Sequence, residues 1–252
     1  MLYWHVSMAK SGTWEPSLSE QAYTVIKSRI LKGELPLGAP VSRRGVAVEL
    51  EMSHLPVAEA MQRLEAEGIL ESRPRSGTIV RVPTAAEVRE RYELREALES
   101  QAGRLFARSA GARAKRDMLK MAESVDALFN RCFAGGENDR EYLYTVHNFH
   151  ARFHLGIAQA GGCQALCEAL EKAQVLTFNW LQDVVADRPP LPREFHRELM
   201  TSLCSGDEET ADRAMRCHVR HGLEYVVGKI AGIAVQPAVT RRPRVTSRVA
   251  AR

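Results

Sequence analysis

The sequence predicts a mainly α-helical protein in two parts: an N-terminal winged helix-turn-helix with a two-stranded wing, and a C-terminal all-α helical bundle. Three observations carry this expectation. Between Ser42 and Val82 two short helical patterns are followed by two alternating runs. From Glu87 onward, segments of helical periodicity are separated by glycine and proline. A chain of 252 residues with 45% hydrophobic content exceeds one domain of roughly 100 to 200 residues.

Residues 1–16 carry Trp4, Gly12, Trp14 and Pro16 without periodicity, and a flexible arm is expected. The head is expected over 17–82. Ser17-Leu-Ser-Glu20 is a capping-box pattern, followed by Leu18, Ala22, Val25, Ile26 and Ile30 at spacings of three and four; this gives a first helix ending near Gly33. A second, short helix starts near Ser42. Glu51-Met52 makes a tight turn, and Ser53 caps a third helix with Pro56 in its first turn and Gly68 at its stop. Ile69 to Ser72 and Thr78 to Val82 alternate as strands around the turn Arg73-Pro-Arg-Ser-Gly77. Pro83 to Ala85 is a linker. The expected bundle (86–231) has helices over Glu87 to Ala110, Ala112 to Ala134, Asn138 to Ala160, Cys163 to Val185, Arg193 to Ser205 and Asp207 to Ile230.

The net charge of +4 is unevenly spread. From Lys229 to the end there are six basic residues and no acid, whereas residues 1–83 carry ten basic against nine acidic. The excess therefore sits in a proline-containing basic tail, expected to be disordered over 232–252. Five cysteines without a CxxC pair fit reduced thiols. No signal layout and no apolar run of about 20 residues is present, so a cytoplasmic protein without a membrane partner is expected.

His147, His150 and His154 fall on nearly one line of a helix, on the side that also carries Val146, Phe149, Phe153, Ile157 and Ala158. His196 lies on a stripe with Leu199, Met200 and Leu203, and His218 on one with Ala211, Ala214 and Met215. Inward histidines on three helices each need a buried partner. At this point core, catalysis and metal all remain open.

Gly33-Glu-Leu-Pro-Leu-Gly38, Ser53-His-Leu-Pro-Val57, Glu59-Ala60, Arg63 to Leu70 and Gly77 to Val80 resemble the GntR family of bacterial transcriptional regulators. The resemblance implies that the helix from Ser53 to Glu67 enters the major groove and that the wing touches minor groove or backbone. Ser42, Arg44, Ser53, His54, Leu55, Ala58, Arg73, Arg75 and Gly77 are then the candidate DNA-contacting residues. His54 and Ala58 stand where the family often has arginine, so two contacts are expected to be weaker or absent.

Leu94 to Glu99, Phe153-His154, His196 and Gly206-Asp207 through His218 resemble the FCD ligand-binding domain that follows the head in the FadR subfamily. The resemblance implies a divalent metal on His150, His154, His196 and His218, with His150 at the position of the family's aspartate. An all-imidazole set favours zinc or nickel. Arg95 is expected to anchor a small carboxylate effector, with Tyr92 and His147 beside it. The function implied is a homodimeric repressor on a palindromic DNA operator, released by an organic acid. The alternative is a histidine-metal hydrolase or oxygenase in a helical bundle, against which stand the absence of an HExxH pair and of an identifiable general base.

Overall fold

The computed structural model describes residues 16–74, 77–133, 140–172 and 190–235. Arg75, nearly all of the expected arm, the tail beyond 235 and the second half of the helix expected over Cys163 to Val185 lie outside the described residues.

The head begins with α1 (Leu18–Leu31), whose N-terminus is closed by the Ser17 hydroxyl accepting from Glu20 N at 3.2 Å. β1 (Pro40–Val41) precedes α2 (Arg43–Glu49), which Ser42 caps at Gly45 N, 3.1 Å. Glu51, at φ 53°, turns the chain into α3 (His54–Ala66). Ile26 and Ile30 of α1 and Val57, Met61 and Leu64 of α3 are essentially inaccessible. Each side chain of that size stabilises by about 1.5–3 kcal/mol on burial, so the α1–α3 contact holds the head together.

β2 (Leu70–Arg73) and β3 (Gly77–Val80) pair antiparallel with Leu70 opposite Val80. The expectation of two strands is short by one. β1 adds to the other edge of β3, with Val41 opposite Thr78, giving the order β1-β3-β2. A two-residue strand is below the length at which alternation can be recognised.

Thr84 and Glu87 form a capping box that starts α4 (Ala85–Ser109) two residues before the expected helix. Then come α5 (Ala112–Phe133), α6 (Arg140–Ala160), α7 (Gln164–Lys172), α8 (Phe195–Cys204), α9 (Glu208–Arg220) and α10 (Leu223–Val235). The single helix expected over Asp207 to Ile230 is two helices. Gly222, at φ 83°, adopts a backbone open to glycine, and His221 is extended beside it; the chain turns there. The helix also runs to Val235, four residues into the stretch expected to be tail.

α4 packs along α9 and against α6, and α5 packs against α6 and α8. At Gly161 a Cβ would meet Leu105 Cβ at 3.0 Å and Phe106 N at 3.2 Å, so the end of α6 lies on α4 without room for a side chain. That close approach brings the histidines of α6 beside the polar face of α4. Head and bundle meet at Arg81, bonded to Glu87, and at Lys32 of α1, whose Nζ lies 2.5 Å from Glu141 Oε2 and 5.4 Å from the Tyr144 ring on α6.

Candidate functional site

Three helices point imidazoles into the bundle. α6 supplies His150 and His154, one turn apart; α8 supplies His196 from its first turn; α9 supplies His218; all four are buried. His154 Nε2 lies 2.9 Å from His150 Nε2 and 3.2 Å from His218 Nε2. Donor nitrogens of His150, His196 and His218 lie within 4.8 Å of one another. Nitrogens bound at about 2.0–2.1 Å to one metal are separated by roughly 3.0 Å at right angles and 3.4 Å in a tetrahedron. The two contacts of His154 are of that size; the three-histidine group of His150, His196 and His218 is the looser set, and His154 meets it through His150 and His218.

The protonation states fit as well. Burial first, then the neighbouring imidazoles, pushes His150 and His218 well below the usual histidine range. They are held neutral, as a ligand must be. Carboxylates sit behind two of the rings. Asp126 of α5 accepts from His196 Nδ1 at 2.7 Å and from the backbone N–H groups of His196 and Arg197 at 3.0 and 2.9 Å, thereby also satisfying the N-terminus of α8. Glu99 of α4 has Oε2 2.7 Å from His154 Nδ1 and accepts from Arg95 Nε at 2.9 Å through Oε1. At His196 the carboxylate bonded to Nδ1 leaves the Nε2 lone pair for a metal and orients the ring, while Glu99 faces His154 Nδ1 as a charge at close range. Burial alone would raise the Glu99 carboxyl; Arg95 and His154 override it and hold it at about 2.

Arg95 is 2% exposed, and its Nη1 has no hydrogen-bond partner among the described residues. A buried guanidinium N–H without an acceptor costs about 1–3 kcal/mol or more, which an anionic oxygen would remove. Tyr92 is buried alongside, with the guanidinium 5.2 Å from its ring centre. His147 packs edge-on to Phe129 at 5.9 Å and 73°, one turn from the four clustered rings. The structure thus brings together all four expected metal residues with Arg95 and Tyr92, and sets His147 apart. Sequence reading assigned no role to Asp126 or Glu99. Glu99 carried a usable signal, four residues after Arg95 and on its face; Asp126, 70 residues before His196, carried none.

In the head, His54 and Leu55 are exposed at the start of α3, Leu55 at 68%, and Ala58 is half-buried. Ser53 holds the N-cap position, yet its hydroxyl makes no cap bond, contrary to expectation. The Ser42 hydroxyl is occupied in capping α2; Arg44 is exposed; Gly77 opens β3 at φ 76°. Arg73 is exposed but leans on Glu71, Nε to Oε1 2.9 Å. Arg75 lies outside the described residues.

Residues 18–80 match the family described as "Bacterial regulatory proteins, gntR family", and residues 90–221 match the FCD domain. The chain is 31% identical over 204 residues to the "Probable D-xylose utilization operon transcriptional repressor" of Paenarthrobacter nicotinovorans, covering 81% of this chain and 86% of that protein. It is 24% identical to the transcriptional repressor RspR of Escherichia coli, over 83% and 89% of the two chains. Among solved structures, E. coli McbR/YncC superposes with TM-score 0.65 at 21% identity, covering 85% of this chain and 99% of that one. These similar proteins are regulators and not enzymes, and no described helix is long and apolar enough to cross a membrane. Head, wing and histidine-bearing bundle in this order, matched by both families, show that the chain belongs to the GntR family of bacterial transcriptional regulators, with an FCD domain behind its winged helix-turn-helix.

Proposed function

We propose that this regulator is a homodimeric repressor whose affinity for a palindromic operator is set by a small organic acid bound in the bundle beside a divalent metal, zinc or nickel. The observation that carries the reading is the buried Arg95 guanidinium with Nη1 unmatched, one residue set away from four imidazoles whose nitrogens approach to 2.9 and 3.2 Å. His150, His154, His196 and His218 would hold the metal, which supplies uncompensated positive charge to an anionic ligand. No carboxylate is among these four donors; Glu99 and Asp126 sit behind the rings. Imidazole donors favour zinc or nickel over magnesium or manganese. Arg95 would take the effector's carboxylate, with Tyr92 lining the site and His147 supporting it from one turn away.

In the head, the open N-terminus of α3, with Ser53 and His54, would receive a phosphate, as would Ser42 and Arg44. Leu55 and Ala58 would face base edges, and Arg73, Arg75 and Gly77 of the wing the minor groove or backbone. Ligand would act by favouring one relative placement of the heads over another. Control of a catabolic operon is supported by the relative named for D-xylose utilisation.

Purified protein is expected to carry near one zinc or nickel per chain by elemental analysis, and His154→Ala or His196→Ala to lose it. Protein that stays metal-free after loading at neutral pH overturns the metal. A thermal-shift screen of small carboxylates should find a stabilising acid, by about 2.7 kcal/mol at 100 times its dissociation constant, and Arg95→Ala should abolish that shift while retaining metal.

A further inference from the structure

The solvent face of α3 has an unusual chemistry for a helix meant to read DNA. Leu55, Glu59 and Gln62 recur at positions i, i+4 and i+7 and are exposed, with Ala58 half-buried beside them, while Pro56, Val57, Ala60, Met61 and Leu64 are buried on the other side. Leu55, 68% exposed, is one of four large apolar side chains left exposed among the described residues. It has no packing role to explain it.

The only arginine or lysine on α3 is Arg63, and it is committed elsewhere. Its Nη1 lies 2.6 Å from Glu20 Oε2 on α1, its Nε 3.5 Å from Glu67, and its guanidinium 3.7 Å over the Tyr23 ring. Bidentate reading of guanine in the major groove is done by arginine or lysine, whereas an apolar side chain matches the C5-methyl of thymine. On this helix the first tool is tied down and the second is presented at the leading turn.

We propose that α3 reads its operator through thymine methyl groups, with Leu55 as the main contact and Ala58 beside it, and not through guanine. The inference rests on the family's DNA-reading function and names the chemistry of its base contact. Gln62, two turns on, adds an amide suited to adenine on the same face. The head therefore selects an A·T step where Leu55 meets the groove, and the price of losing one methyl there is a roughly three- to five-fold weaker complex.

The experiment uses the full chain. A duplex is first selected from a random pool, and each thymine of it is then replaced by deoxyuridine, which removes the C5-methyl and nothing else. Binding is measured by fluorescence anisotropy for the wild type and for Leu55→Ala. One or two thymines in each half-site should lose roughly three- to five-fold in affinity on replacement, and that loss should vanish in Leu55→Ala, whose melting temperature should be unchanged because the side chain is exposed. A selected site whose thymines are all indifferent to deoxyuridine overturns the proposal. So does equal sensitivity in Leu55→Ala. A pool that yields no enriched sequence removes sequence-specific reading by the head altogether, and is distinguishable from both.

Discussion

The buried residues of the described head, from Ala22 to Val80, are all apolar save for the phenol of Tyr23, whereas the bundle buries Arg95, Glu96, Glu99, Ser100, Asp126, His150, His154, His196 and His218. The two halves have opposite solutions to carrying function. A helix that meets DNA must present its chemistry outward, so its inner face is free to be ordinary core. An interior that would take an anion and a metal, as proposed for the bundle, must hold charge inside, where each unpaired group is costly; there Asp126 holds His196 and Arg95 holds Glu99. Even Tyr23 follows this division: its hydroxyl donates at 2.7 Å to Glu67 at the rim of the head, and burial, then the Glu67 bond, raises it well above the usual phenol range. If the division is real, core substitutions in the head should cost stability, and those in the bundle's interior should cost ligand and metal.

The largest effect is expected at Leu64, inaccessible between α1 and α3. Leu64→Ala should lower stability by about 2–5 kcal/mol, read in urea denaturation, with the metal content of the folded protein unchanged. Loss of metal together with the head's melting would show that the two halves unfold as one unit and would weaken the comparison.

A smaller and more discriminating effect is expected at Asp126, which serves both solutions at once by satisfying two N–H groups of α8 and orienting His196. Asp126→Ala should cost about 1–3 kcal/mol in metal-free protein and about 10- to 100-fold in metal affinity. Asp126→Asn keeps an acceptor oxygen but not the charge. It should recover most of the stability and little of the affinity, as measured by competitive metal titration. Equal recovery of both would reduce Asp126 to a helix cap.

The same division explains what could be read from the sequence. The head's elements were legible because their punctuation is local: Ser17, Ser42, Gly33 and Gly68 lie next to the ends they mark. A strand of two residues such as β1 has no period to read, and a lone glycine such as Gly222 within a helical pattern is commonly tolerated without a break. In the bundle, the four histidines could be read because each sits on an apolar stripe where a polar residue is out of place. Their carboxylate partners follow a different logic. Glu99 follows Arg95 by one turn, which signals a pair, but Glu93 follows Arg89 at the same spacing on the exposed face, so the pattern does not say which pair is buried. Asp126 meets His196 only through the packing of α5 against α8.

The seam between the halves offers the finest test. Thr84 and Glu87 close the start of α4, with Glu87 N donating to Thr84 Oγ1 at 3.2 Å and Thr84 N to Glu87 Oε2 at 2.8 Å, while Arg81 of the head bonds the same carboxylate. The Thr84 backbone bond, then burial in the opposite sense, then the Thr84 hydroxyl and Arg81 set the Glu87 carboxyl below its ordinary 4.5. A lowered folded value means that this contribution is fully present above about pH 4.5 and is lost as pH falls through the lowered value. Thr84→Ala should cost about 1 kcal/mol at neutral pH. That deficit should narrow in acid, because the hydroxyl no longer has an ionised carboxylate to serve. A deficit that stays constant from pH 7 to pH 3 would mean that Thr84 acts only on the backbone of α4.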